Sequence, residues 1–356
     1  MPTNIRFGFL ASPTDVKDAD DQTRYRMCVE DALFGAALGY ESVWILEHHF
    51  SDYYPIPSPL QLLSHIAAKA PSLGLGTMVI VNPWHNPLRL AGEIAMLSRL
   101  SAGELHLGMG RGQAPLEFEA FGIDVDSTRE RLHESVEVLQ QALSGKPFSY
   151  RGKYLQMGRT VSIRPRPATE RIHLYGAITN PTTATLMAEL GIPPLSNGIH
   201  PLDVHRGVLK TWTDAVLAGG GQVETVKPIS IHTVIADTDA QADRLAREYL
   251  PGLFEAQVEH YRSDVERYNL LKTYKSFSEI HERRVWLSDP DNLDDMIALS
   301  AIGTSETVRR RIQEYIDIGF NKFIITTSTP YIPQHLRHEW LTRFAEEVIP
   351  HFVSQT

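Results

Sequence analysis

The chain has 356 residues, 42% of them hydrophobic and 22% charged, far from the polar, core-poor compositions that stay disordered. With 34 basic against 43 acidic residues the net charge is −9, and no run of Lys and Arg is long enough to track a phosphate backbone, so nucleic acid is not an expected partner. The single cysteine, Cys28, excludes an internal disulfide framework, and neither a signal-peptide pattern nor a membrane span of about 20 apolar residues is present, so a cytoplasmic location is the expectation.

In chain order, a first strand is expected over residues 5–11. A helix follows over 22–38, where Tyr25, Val29, Ala32, Leu33, Ala36 and Ala37 recur at helical spacing and Gly39 supplies the stop. Residues 42–46 read as the second strand, 59–70 as a helix and 75–81 as the third strand. Pro87 opens a helix that ends near Leu100, ahead of Ser101-Ala102-Gly103. The fourth strand is 105–108, with a helix over 128–143. After a Pro-, Gly- and Arg-rich stretch, strands follow at 172–175, 192–196 and 229–235, with helices at 182–190, 202–217 and 239–249. An eighth strand at 322–327 precedes a helix at 335–348. Eight strand–helix units favour an α/β fold closed into a single (β/α)8 TIM barrel over residues 1–356, rather than an open doubly wound sheet. Residues 250–302 break the rhythm. They read as an insertion before strand eight, either an active-site lid or a subunit contact.

In a parallel barrel the chemistry sits where strands end at their C-terminal side. The second strand ends in Glu47-His48-His49-Phe50, a carboxylate and two imidazoles able to act as acid and base, to ligate a metal or to bond a bound ring; a solvated loop with satisfied histidines is the plainer reading. The helical HExxH spacing is missing and no third ligand stands out, so no metal is expected. The fourth strand ends in Gly108-Met109-Gly110-Arg111-Gly112. Its glycines admit a ligand close to the backbone and its arginine can hold a phosphate through two hydrogen bonds. The third glycine of a dinucleotide fingerprint would fall on Gln113, which weakens that reading. Asn180 and Thr183, after strand five, suit a helix N-terminus that either binds an anion or is simply capped. On one rim, Arg111 and that helix start would converge on one phosphate.

Taken together, Ser42-Val43-Trp44-Ile45-Leu46-Glu47-His48-His49-Phe50, the strand Gly76-Thr77-Met78-Val79-Ile80-Val81, Asn86-Pro87-Leu88-Arg89 and the run from Ser101 to Gly112 resemble the bacterial luciferase-like flavin monooxygenases. The stretch Gly303-Thr304-Ser305-Glu306-Thr307-Val308, followed by residues 315–326, is similar to the same family, so the resemblance spans nearly the whole chain. It implies a barrel that binds reduced FMN at its C-terminal rim, with O2 as oxidant and a separate NAD(P)H-dependent flavin reductase as partner. The implied substrate is a small apolar aldehyde, ketone, alkane or terpene.

Carried over by position, the resemblance makes His48, with Glu47 beside it, the catalytic group and Arg111 the phosphate ligand. Asn180 and Thr183 become further phosphate ligands, although Thr179-Asn180-Pro181 stands where luciferases carry Glu-Ser-Ala. Met78 and Val79 would line the flavin ring, at a place where the family often has a non-prolyl cis peptide, and Ser196 would lie near it. Gly110 occupies the position of the reactive cysteine of some luciferases. Tyr53, Tyr54 and Trp84 are candidates for an apolar pocket. A homodimer through helices two and three is the implied assembly. A deazaflavin-dependent hydride-transfer enzyme of the same fold, a non-catalytic flavin-binding barrel subunit and a metal-dependent hydrolase are the alternatives.

Overall fold

The structure is a computed structural model that describes residues 5–13, 19–178, 180–262 and 277–353. Its strands are β1 (Arg6–Leu10), β2 (Ser42–Ile45), β3 (Gly74–Val81), β4 (Leu105–Gly110), β5 (Ile172–Ala177), β6 (Pro194–Asn197), β7 (Pro228–Ile235), β8 (Ala301–Gly303) and β9 (Lys322–Thr326). From β1 to β7 each pairs in parallel with the next. β9 then pairs with both β7 and β1, which closes an eight-stranded TIM barrel. β8 stands outside the ring and pairs with the C-terminal part of β7, Thr233 opposite Ala301.

Because side chains alternate along a strand, each strand feeds two cores. Phe9, Val43, Ile45, Leu75, Leu107, Ile231, Phe323 and Ile325 pack outward into the helical layer. Leu10, Trp44, Tyr175, Leu195 and Ile324 form a separate cluster inside the barrel. Trp44 fills the axis because its neighbours make room: a Cβ on Gly76 would lie 2.2 Å from Trp44 Cδ2. Beneath it the N-terminal end of the barrel is sealed by charge. Lys322 bonds Glu41 and stands 3.1 Å from His106 Nε2, while Arg6 donates to Glu41 at 2.6 Å and to Glu104 at 2.5 Å. Burial pushes Lys322 down to about 8 and His106 down to about 4.

The first helices are α1 (Asp21–Ala37), α2 (Pro59–Ala67), α3 (Pro87–Leu100), α4 (Pro115–Phe121), α5 (Thr128–Leu143), α6 (Pro181–Glu189), α7 (Leu202–Ala218) and α8 (Asp239–His260). α8 does not stop at residue 249. Leu250 and Phe254 extend the apolar stripe of Ala242 and Ala246, and the helix runs through Pro251 to His260. The start of the expected insertion is therefore the C-terminal half of a barrel helix. Helices Phe277–Leu287 and Asp294–Leu299 come next, then β8 and the helix Ser305–Ile318, which completes the crossover to β9. Residues 263–276 of the expected insertion lie outside the described residues. The helix after β9, Gln334–Arg343, is tied to α1 by a buried pair, Arg337 to Asp31 at 2.8 Å, joined by His338 at 2.8 Å. Among the described residues no helix is long and apolar enough to cross a membrane.

Candidate functional site at the C-terminal mouth of the barrel

Strand alternation sends Trp44, Leu46 and His48 toward the barrel axis and turns Ile45 and Glu47 the other way. Glu47 is buried and accepts the Val81 N–H at 2.8 Å, His85 Nε2 at 2.8 Å and His49 Nε2 at 3.1 Å. Burial alone would raise its pKa, but these bonds outweigh it and hold the carboxyl below its ordinary value. Glu47, expected beside His48 in the chemistry, is instead a clamp that fastens the exit of β2 to the exit of β3.

The carboxylate that meets His48 is Glu117. Its Oε1 accepts the His49 N–H at 2.8 Å and lies 3.5 Å from both His48 Nδ1 and His260 Nε2. His260, buried at the end of α8, is fixed in turn by Ser51 Oγ at 2.6 Å from Nδ1. Burial would raise Glu117, yet His260, His48 and the His49 amide together bring it down to about 2. Around this group the rings close in, His48 lying 4.8 Å from Tyr53, 4.7 Å from His260 and 6.1 Å from Tyr261. Trp84 does not join them. It packs on Phe118 and Phe121 at 5.0 and 5.1 Å, beside the outer face of α4.

Neither Glu117 nor His260 was identified from the sequence. An acidic residue soon after Gly110-Arg111-Gly112, with Pro115 opening a helix, was the available signal for the first. Continuing the α8 periodicity past residue 249 would have reached the second.

The Met78–Val79 peptide is cis, the β3–β4 register shifts between Thr77 and Ile80, and both side chains pack on the inner cluster. The β4 glycines permit this approach, since a Cβ on Gly110 would lie 2.6 Å from Val79 Cγ2. Arg111 follows directly, and β4 neighbours β5 with Met109 opposite Gly176, so Arg111 and the start of α6 share one rim. There Asn180 Oδ1 accepts the Thr183 N–H at 3.0 Å and the Thr183 hydroxyl at 3.2 Å, a helix N-cap. Ser196 is buried but registers with Ile229, which faces the helical layer, so the strand turns it away from the inner cluster. Across the mouth, Tyr54 donates to the Ser328 carbonyl at 3.2 Å. The flanking Thr327 and Thr329 hydroxyls are buried with no hydrogen-bond partner among the described residues.

The family description Luciferase-like monooxygenase matches residues 5–322. The chain belongs to the luciferase-like monooxygenase family. This luciferase-like chain is 30% identical over 199 residues to the 4-hydroxyprotoasukamycin monooxygenase of Streptomyces nodosus subsp. asukaensis, covering 55% of this chain and 54% of that one. It spans about half the length of the first curated relatives it matches. To the oxygenase component of the flavin-dependent trigonelline monooxygenase of Acinetobacter baylyi it is 23% identical, over 98% of this chain and 96% of the relative.

Among solved structures, monooxygenase RslO1 from Streptomyces bottropensis superposes with TM-score 0.80 at 22% identity, covering 98% of this chain and all 100% of that one. The oxygenating constituent of 3,6-diketocamphane monooxygenase from Pseudomonas putida, in complex with FMN, gives 0.75 at 20% identity over 98% of each chain. An F420-dependent secondary alcohol dehydrogenase gives 0.73 at 18% identity, covering 98% and 99%. These likenesses establish the luciferase-like barrel as the fold.

Proposed function

We propose that the chain is the oxygenase component of a two-component system, using reduced FMN from an NAD(P)H-dependent reductase and O2 to oxygenate a small organic substrate. The observation that carries this reading is the buried Glu117 carboxylate facing His48 Nδ1 at 3.5 Å at the mouth of a luciferase-like barrel. The residues present fit a flavin. Met78 and Val79 give an apolar wall, the Thr327 and Thr329 hydroxyls are buried and unmatched among the described residues, and Arg111 shares a rim with a helix N-terminus.

When bound, reduced FMN supplies the electrons that activate O2. Arg111 and the first turn of α6 neutralise the phosphate, with Asn180 and Thr183 organising that turn as its cap. Glu117 holds the Nδ1 side of His48, which leaves Nε2 as the atom that holds or takes a proton at the reacting centre. Tyr53, Tyr54, Tyr261 and Leu253, all buried, exclude water from the mouth. Of the expected lid, residues 250–302, the end of α8 acts as the wall of this enclosure and helix Phe277–Leu287 lies over it. A homodimer through α2 and α3 is part of the same reading, supported by Met96 and Leu100, 51% and 58% exposed one turn apart on α3.

The test is turnover with reduced FMN supplied by a reductase, across aldehydes, ketones and terpenes. His48→Ala is expected to retain FMN binding and lose about 10²–10⁴-fold in turnover, the usual worth of a general acid or base; full turnover in that variant contradicts the role. The second reading, hydride transfer with a deazaflavin, is favoured by the likeness to the F420-dependent dehydrogenase. It predicts binding of deazaflavin but not FMN.

A further inference from the structure

Helix Phe277–Leu287 brings a cation over the barrel mouth. Arg284 lays its guanidinium 3.8 Å above the Tyr261 ring, and Tyr261 is one of the rings that enclose His48. Burial is the main cause of the lowered pKa of His260 and the raised pKa of Tyr53; the nearby Arg284 charge adds to the first and opposes the second.

Arg284 Nη1 is buried, and among the described residues it has neither a hydrogen-bond partner nor an ion pair. One turn earlier on the same helix face, His281 Nδ1 is also buried without a partner among the described residues. A guanidinium is always charged, and a buried N–H left unmatched costs the desolvation of that group. Stacking on Tyr261 satisfies its flat face but none of its in-plane donors. Glu117, the carboxylate of the mouth, is already engaged by the His49 amide and stands between two imidazoles. Leu253, Tyr54 and Leu195, which belong to the same cluster as Tyr261, are apolar or aromatic. The enclosure thus has an apolar body and one cationic end.

Resting on the reading of this mouth as the substrate site, we propose that Arg284, with His281 beside it, is an anion subsite that selects a substrate bearing a carboxylate. The apolar remainder of the molecule would lie along Tyr53, Tyr54 and Tyr261, and the planar carboxylate would match the guanidinium fork in two hydrogen bonds.

The experiment is calorimetric titration of the full chain with straight-chain C4 to C10 carboxylates and with the isosteric primary amides. It uses the wild type and Arg284→Gln, with FMN affinity measured in both. At least one carboxylate should bind the wild type about tenfold more tightly than its amide, and Arg284→Gln should bring the two within about twofold with FMN affinity unchanged. Absence of any carboxylate preference in the wild type overturns the proposal, as does a preference that survives in Arg284→Gln. Failure of the wild type to bind FMN strikes the flavin reading instead and leaves the carboxylate comparison standing.

Discussion

Glu117 accepts one backbone amide and faces two imidazoles, so its charge is anchored to two separate parts of the chain, the His48-His49 exit of β2 and the end of α8. Its carboxyl is held near 2, below an unfolded value near 4.5. A depressed carboxylate contributes stability that is fully present above the unfolded value and is lost as pH falls from 4.5 toward 2. Glu117→Gln keeps the volume and removes the charge. Denaturant unfolding of this variant should show a flatter stability profile across that acid window than the wild type, and its turnover at neutral pH should fall with little change in FMN affinity. An unchanged acid profile contradicts the pairing. His48 was legible in the sequence because the strand-exit rule singles out residues after an apolar run. Glu117 was not, because α4 is a short helix and its partner lies far away along the chain. Glu47 misled for a related reason, since composition cannot tell which side of a strand end a carboxylate takes.

Most elements with strong periodicity or firm punctuation were readable, but helix Ser305–Ile318 was missed although it carries both. All eight barrel strands were recognisable as apolar runs bounded by turns. β8 has only three residues, and its pairing with β7 is a tertiary fact. Helix Ser305–Ile318 buries Val308, Ile312 and Tyr315 along one face and is charged elsewhere. Its end signals were present, with Thr304 capping Thr307 and Gly319 left-handed at φ 117°. At this scale the barrel depends on glycines that make room for one large interior ring. Gly76→Ala would drive a methyl into Trp44 and should cost about 1–3 kcal/mol, the range for overpacking a filled core, seen as a lower Tm. An unchanged Tm would mean that Trp44 has room the structure does not show.

As a whole molecule, the barrel is sealed by charge at its N-terminal end and furnished for chemistry at the other, with Trp44 between. Length and rhythm predicted this closure, and the family resemblance put the expected site at the C-terminal rim. Neither fixed the path of the long connection between β7 and β9. If α3 supplies a dimer contact, Met96→Glu combined with Leu100→Glu should shift the protein from dimer to monomer in sedimentation analysis without lowering FMN affinity; a wild type that sediments as a monomer contradicts the assembly. The central claim concerns the cofactor, and equilibrium titration of FMN and of a deazaflavin into wild type and Arg111→Ala tests it most directly. The account predicts that the wild type binds FMN in preference to the deazaflavin, and that Arg111→Ala weakens FMN binding by about 1–3 kcal/mol, roughly ten- to a hundredfold. Binding of the deazaflavin alone, or FMN affinity untouched by Arg111→Ala, would contradict it.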